Sequence, residues 1–160
     1  MTAQEFQAGC IERAGQMLAF HLRATQPDKR DWKPPVEGAT GIRSALDMVS
    51  ECIFINRWLT HLLATGVLLP IPFGPDKPRA FQTGDEAGLL LEESARELAR
   101  VVRGMSENDL AREYESWRGL VAGALLIEVP YRNMQYHCGQ INLIQLLYGD
   151  AEFRPWPPRP

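Results

Sequence analysis

Cysteine, long apolar runs and clustered positive charge are all scarce in this sequence of 160 residues. Its three cysteines form no paired spacing, so they indicate reduced thiols in a reducing compartment and not a disulfide framework. The longest apolar run, residues 119–127, is about half of what a bilayer requires. The first residues lack the basic region and apolar stretch of a secretory signal. These absences predict a cytoplasmic protein that has no membrane partner.

Positively charged residues are also not clustered. The 17 lysines and arginines are scattered along the chain, and the formal net charge is −3. A surface that binds nucleic acid needs clustered lysine and arginine to neutralise phosphates. We therefore expect no nucleic-acid partner. The apolar fraction of 45% and the charged fraction of 23% are typical of one globular domain.

Strand-like alternation is nearly lacking, whereas four long segments carry the periodicity of amphipathic helices. They cover about residues 4–24, 42–65, 83–103 and 121–148. Four such helices in a small domain predict an all-α four-helix bundle. The linker at residues 66–82 would span about 50 Å, more than the roughly 36 Å of the second helix, so it can form a long crossover between helices two and three. The loop after the first helix is also long, so loop lengths leave the topology open.

Local signals predict the ends of these helices. Thr83 and Glu86 have the spacing of a capping box at the third helix. Ser106 is expected to cap a short helix that leads to the fourth, and Pro130 should kink the fourth helix. The last seven residues, 154–160, are rich in proline and predict a tail beyond a bundle of residues 1–153.

Three polar residues lie where the helical wheel places apolar ones. Asn133 and His137 are one turn apart within the apolar stripe of the fourth helix, and Glu51 lies on an apolar shoulder of the second. If the two helices are antiparallel, Glu51 and His137 lie about 14 Å and 17 Å from the same end. A carboxylate there costs several kcal/mol unless it is paired, hydrated, protonated or bound to a cation. The expected lining of a pocket around them is Ile55, Trp58, Met134 and Ile141.

These three side chains allow two interpretations. They could form a buried hydrogen-bonded network, in which the carboxylate should keep His137 cationic near neutral pH. They could instead hold a divalent metal, although asparagine is a poor zinc ligand. The Glu-x-x-His pattern of ferritin-like di-iron proteins does not occur in the sequence, which excludes that class.

Two stretches resemble the DinB-like (DinB/YfiT) family. NMQYHCGQINLIQLLYGD is similar to the final helix of these bundles, where a His-x-x-x-His pair precedes Gly-Gln, and WKPPVEGATGIRSALDMVSECIFINRW is similar to their second helix. The resemblance implies an up-down-down-up bundle, commonly dimeric, with three histidines that hold zinc or nickel. Some members are transferases that use a low-molecular-weight thiol. Carried onto this chain, the third histidine is His137, whereas Asn133 and Glu51 stand at the other two positions.

The sequence therefore favours a DinB-like protein whose degenerate metal site forms a polar pocket that binds a small molecule. The alternatives are a transferase that depends on zinc or nickel and acts with a low-molecular-weight thiol, and a purely structural dimer. Whether the chain is an enzyme is left open. A homodimer is expected from the resemblance and from the second helix, which is apolar around most of its circumference.

Overall fold

The computed structural model is mostly helical and describes residues 1–35, 37–38, 40–70, 78–117 and 119–156. Its helices are Ala3–Ala24 (α1), Ala45–Thr65 (α2), Gly84–Arg103 (α3), Glu107–Ala111 (α4), Gly123–Leu126 (α5) and Glu128–Leu147 (α6), with a single 3-10 turn at Pro27–Lys29. Two short strands, Glu113–Ser116 (β1) and Gly119–Ala122 (β2), lie between α4 and α5. No helix of the described ranges is both long and apolar enough to cross a membrane.

Hydroxyl side chains begin α1 to α4. Ser106 caps α4 as predicted, and with Asp109 it forms a full capping box. The Thr83 side chain accepts from the backbone N–H of Glu86 at the start of α3, but the Glu86 carboxylate accepts from Gln82 instead of closing the box. At the end of α2, Gly66 adopts φ 73°, a left-handed conformation that glycine tolerates best.

Helix α1 packs against both α3 and α6, and it runs antiparallel to the first and parallel to the second. Glu12 in the middle of α1 pairs with Arg103 at the end of α3 (Oε2–Nη2, 2.6 Å), and Arg23 at the end of α1 pairs with Glu92 in the middle of α3 (Nη1–Oε1, 2.6 Å), so these two helices are antiparallel. Gln7 donates to the carbonyl of Ile127, just before α6, at 3.0 Å. At the other end, Gln145 of α6 donates to the carbonyl of His21, so α1 and α6 run parallel.

Helix α2 lies on the other side, against α3 and α6. Asn56 donates to the hydroxyl of Ser94 on α3 at 3.1 Å and to the sulfur of Met134 on α6 at 3.8 Å. The core between these helices is apolar, because each contributes its buried stripe. The largest side chains without solvent exposure include Ile11, Leu18, Leu59, Leu91, Leu98, Met134 and Ile141.

The expectation of a protein without a sheet is wrong, because β1 and β2 form an antiparallel hairpin. Tyr114 and Ser116 are buried while the two glutamates of β1 are exposed, a strand alternation too short to be recognised in the sequence. Gly119 at the turn has φ 83°, which continues neither a helix nor an ordinary strand. The last long helix therefore begins at Glu128 and not near residue 121.

Pro130 does not kink a helix. Because α6 begins at Glu128, the proline stands in the first turn, where its missing N–H would have no partner within the helix. The second helix also begins later than predicted. Its N-cap is Ser44, whose hydroxyl accepts from the N–H of Asp47, so residues 42 and 43 lie outside α2.

The predicted crossover and tail lie partly outside the described residues. This applies to residues 71–77 of the crossover and to residues 157–160 of the tail. The described ends of the crossover are anchored on α2, since Trp58 donates to the carbonyl of Leu69 at 2.9 Å and Arg79 pairs with Asp47. In the tail, Trp156 packs on Phe20 of α1, with ring centroids 5.5 Å apart.

Candidate functional site

Helices α2 and α6 bring Glu51 and His137 together. The Oε1 atom of Glu51 lies 3.4 Å from Nε2 of His137. The imidazole has 1% of its side-chain surface exposed, whereas the carboxylate has 20%, so the pair spans the boundary between core and solvent. The two residues converge because the helices are antiparallel and their heights agree.

Arg43 is part of the same cluster. Its guanidinium forms an ion pair with the second carboxylate oxygen of Glu51 and keeps 39% of its side-chain surface exposed. The residue directly precedes the N-cap Ser44, so the chain has left helical geometry there and the side chain reaches Glu51 instead of pointing to the opposite face. The charge of Glu51 is therefore matched by a cation of the chain itself, a partner that the helical wheel did not reveal.

Gln140 contacts the other ring nitrogen of His137. Its Oε1 atom lies 2.6 Å from Nδ1 of the imidazole, while Nε2 lies 3.4 Å from Oε1 of Glu51. The neutral ring carries a single proton, so it donates either through Nδ1 to Gln140 or through Nε2 to Glu51. In both tautomers the ring is held from both sides.

The expectation that His137 is cationic near neutral pH is wrong. Burial lowers the pKa of His137 to about 4, and the nearby charge of Arg43 acts in the same direction, while the hydrogen bond to Gln140 opposes the shift. The carboxylate of Glu51 does not reverse this, because its own charge is paired with Arg43. At neutral pH the site holds a neutral imidazole beside an ion pair.

Asn133 is half-buried and turns toward a cysteine. Its Nδ2 atom donates to the sulfur of Cys52 at 3.4 Å. Burial raises the pKa of the Cys52 thiol well above its usual range, and burial also raises the pKa of the Cys138 thiol to about 12. Because a thiol that keeps its proton is a weak nucleophile, neither cysteine next to the site is suited to attack a substrate.

The four residues expected to line a pocket all lie in the hydrophobic core. Each of them has less than a tenth of its surface exposed, from 0% for Met134 to 7% for Ile55. The indole of Trp58 also packs against Trp117 of the hairpin region, with centroids 5.2 Å apart. The complete set expected from the sequence is Ile55, Trp58, Met134 and Ile141.

The donor atoms of this cluster do not fit a resident zinc or nickel ion. Within the described part of the chain, no three or more histidine, cysteine, aspartate or glutamate side chains are placed to hold a metal. The cluster offers one imidazole, one carboxylate that Arg43 already pairs, and one amide whose nitrogen points at Cys52. Zinc prefers three or four imidazole, thiolate or carboxylate ligands, and an adjacent guanidinium repels a cation.

Solved structures with the same fold include three with TM-scores between 0.65 and 0.70. A DinB-like protein of Bacillus subtilis has a TM-score of 0.70 and 15% identity, with 96% of this chain and 99% of that chain covered. A variant of mycothiol-dependent maleylpyruvate isomerase has a TM-score of 0.66 and 15% identity, with 88% of this chain covered; the match spans 61% of that protein. The colibactin self-resistance protein ClbS, in complex with double-stranded DNA, has a TM-score of 0.65 and 16% identity, with 91% and 97% covered.

These likenesses confirm the DinB-like resemblance at the level of the fold. No protein-family model matches the chain, and no curated protein matches its sequence.

The expectation that nucleic acid is excluded as a partner is wrong. A protein of this fold, ClbS, has been solved in complex with double-stranded DNA. Net charge is a sum over the whole chain and does not report how charges are distributed on one face, so a value of −3 does not exclude nucleic acid.

Proposed function

We propose that this chain is a metal-independent binding protein built on the DinB-like fold, with a polar site around Arg43, Glu51 and His137 that takes a small polar molecule. The observation that carries the proposal is the ion pair between Arg43 and Glu51. It places the positive charge of Arg43 on the carboxylate next to the imidazole, so no metal is required to balance Glu51. The guanidinium, 39% exposed, and the carboxylate, 20% exposed, are the groups that a ligand would meet, whereas the imidazole is 1% exposed.

The finer architecture belongs to the same proposal. We infer an up-down-down-up four-helix bundle over residues 1–153, followed by the tail at residues 154–160. The inference is supported by α1 running antiparallel to α3 and parallel to α6, and by α2 running antiparallel to α6. A cytoplasmic location is supported by three cysteines that are buried and free.

A transferase that depends on a divalent metal and a low-molecular-weight thiol is the second candidate. One feature favours it: Gln140 contacts Nδ1 of His137, which leaves Nε2 as the nitrogen on the side of Glu51. Metal-ligating histidines are commonly fixed through their other nitrogen in this way. A protein of the same fold is a mycothiol-dependent isomerase.

The first experiment compares the wild-type chain with Arg43→Gln. Wild-type protein purified without a nickel column should contain far less than one zinc or nickel ion per chain by elemental analysis. In Arg43→Gln the carboxylate of Glu51 loses its counter-ion, so zinc affinity at pH 8 should rise by about tenfold or more. The matched control is Arg57→Gln on the exposed face of α2, which should not change zinc affinity. Stoichiometric metal in the wild-type chain would favour the second candidate.

The homodimer remains a proposal, but its basis changes. Most apolar residues of α2 are buried within the same chain. The apolar circumference of that helix therefore does not require contact with a second copy. An exposed apolar stripe lies instead on α6, where the exposed large hydrophobic residues are Tyr136 at 62%, Leu143 at 55%, Leu146 at 58% and Leu147 at 56%. With Gly139, where an added Cβ would meet open space, the stripe has the spacing of a helix–helix seam.

A second copy fits this stripe because the stripe is self-complementary. In an antiparallel pairing about Gly139, Tyr136 of each chain faces Leu143 of the other. Light scattering should give twice the chain mass of 18.0 kDa at micromolar concentration. Leu143→Asp should give the monomer mass, whereas Leu125→Asp, equally exposed but outside the stripe, should keep the dimer. A monomer mass for the wild-type chain would contradict the proposal.

A further inference from the structure

A groove between α1 and α6 lies on the flank of α6 away from Glu51. Its volume is about 170 Å³. This is smaller than the roughly 300–1,000 Å³ typical of sites for drug-sized ligands, so the groove suits a molecule of about one ring. The residues that line it are Cys10, Arg13, Met17, Tyr131, Gln135 and Trp156.

Arg13 gives the groove a positive charge, and no carboxylate of the described residues is paired with it. Its Nη2 atom donates to the sulfur of Cys10 at 3.4 Å, and no carboxylate among the described residues lies within 4.0 Å of its guanidinium. The neighbouring acid, Glu12, is already bound by both terminal nitrogens of Arg103, at 2.8 and 2.6 Å. A guanidinium in this state can bind a carboxylate through two parallel hydrogen bonds.

The walls of the groove are aromatic. Tyr131 comes from α6, and Trp156 comes from the tail and is held against Phe20 on α1. Aromatic faces bind planar rings by stacking and edge contacts. Gln135 adds an amide that can donate to the same anion or accept from it. The groove thus places one guanidinium and two aromatic side chains of the protein around a space large enough for a ligand of about one ring.

We propose that this groove is a binding site for a small aromatic carboxylate, in which Arg13 binds the carboxylate and Tyr131 and Trp156 contact the ring. The site is independent of the cluster around Glu51. It uses the opposite flank of α6, and its ligand needs neither His137 nor a metal.

The test uses benzoate, with benzamide and cyclohexanecarboxylate as probes that lack the charge or the aromatic ring. Ligand-observed NMR titrations of the full chain should give tighter binding for benzoate than for either analogue. Arg13→Gln should weaken benzoate binding about tenfold, to the level of benzamide, because a hydrogen-bonded ion pair is lost. Trp156→Ala should weaken benzoate and benzamide alike and leave cyclohexanecarboxylate unchanged.

Controls separate this site from the rest of the protein. Arg57→Gln should bind benzoate as the wild-type chain does. Benzoate should also slow alkylation of Cys10 by iodoacetamide, measured by mass spectrometry, and in Arg13→Gln the same protection should require about tenfold more benzoate. Equal benzoate affinity in Arg13→Gln and the wild-type chain, or no saturable binding to the wild-type chain, would overturn the proposal.

Discussion

Lowering the pH from 7 to 4.5 should reduce the free energy of unfolding by about 2–3 kcal/mol through His137 alone. Burial holds the pKa of His137 at about 4 in the folded chain, compared with 6.5 for an ordinary histidine. As the pH falls through this window, the unfolded chain binds a proton that the folded chain excludes. The stability is therefore fully present above about pH 6.5 and is lost progressively toward pH 4.

Chemical denaturation at several pH values between 7 and 4.5 measures this loss. In His137→Gln the loss of stability between pH 7 and pH 4.5 should be smaller than in the wild-type chain by about 2–3 kcal/mol. His21 contributes in the same direction, because burial and the charge of Arg154 lower its pKa. The lowered pKa of Asp47 changes the stability mainly at pH values below 4.5. A stability that rises as the pH falls would mean that His137 is cationic in the fold, contrary to the burial argument.

Replacing Met134 by alanine should cost about 2–5 kcal/mol of unfolding free energy. The side chain has no exposed surface, and its sulfur accepts a hydrogen bond from Asn56. Truncation would remove apolar contacts and leave a cavity between α2 and α6. Leu125→Ala, outside the exposed stripe of α6, is the matched control, and with 58% of its surface exposed it should change stability by no more than about 0.5 kcal/mol.

The same variant distinguishes a core position from a pocket position. If Met134 lined an open pocket, its truncation would cost little and would mainly change the binding of small molecules. A loss below about 1 kcal/mol in urea unfolding would therefore contradict the placement of Met134 in the core.

Periodicity and capping were informative about the helices and about one contact between them. The wheel placed Glu51 and His137 at matching heights, and the structure brings them within 3.4 Å of each other. Thr83 and Ser106 marked the starts of helices because the capping preference is local and acts through the nearest backbone groups. Such signals depend only on a few consecutive residues, which is why a single sequence carries them.

Other features depended on contacts that no local pattern encodes. Arg43 lies just outside the helix, so its approach to Glu51 follows from the loop and not from periodicity. The neutral state of His137 follows from burial and from that arginine, two facts of tertiary structure. The hairpin has four residues in each strand, too few for alternation to stand out.

The central claim is that Arg43, and not a metal, balances Glu51 beside a neutral His137. The most direct measurement is the melting temperature of metal-free protein during titration with zinc and with nickel at pH 6 and pH 8. A ligating imidazole must lose its proton, so a metal site would show its strongest stabilisation at pH 8. We expect no shift with either metal at either pH. A large rise at pH 8 that disappears in both Glu51→Ala and His137→Ala would contradict the claim and establish a metal site.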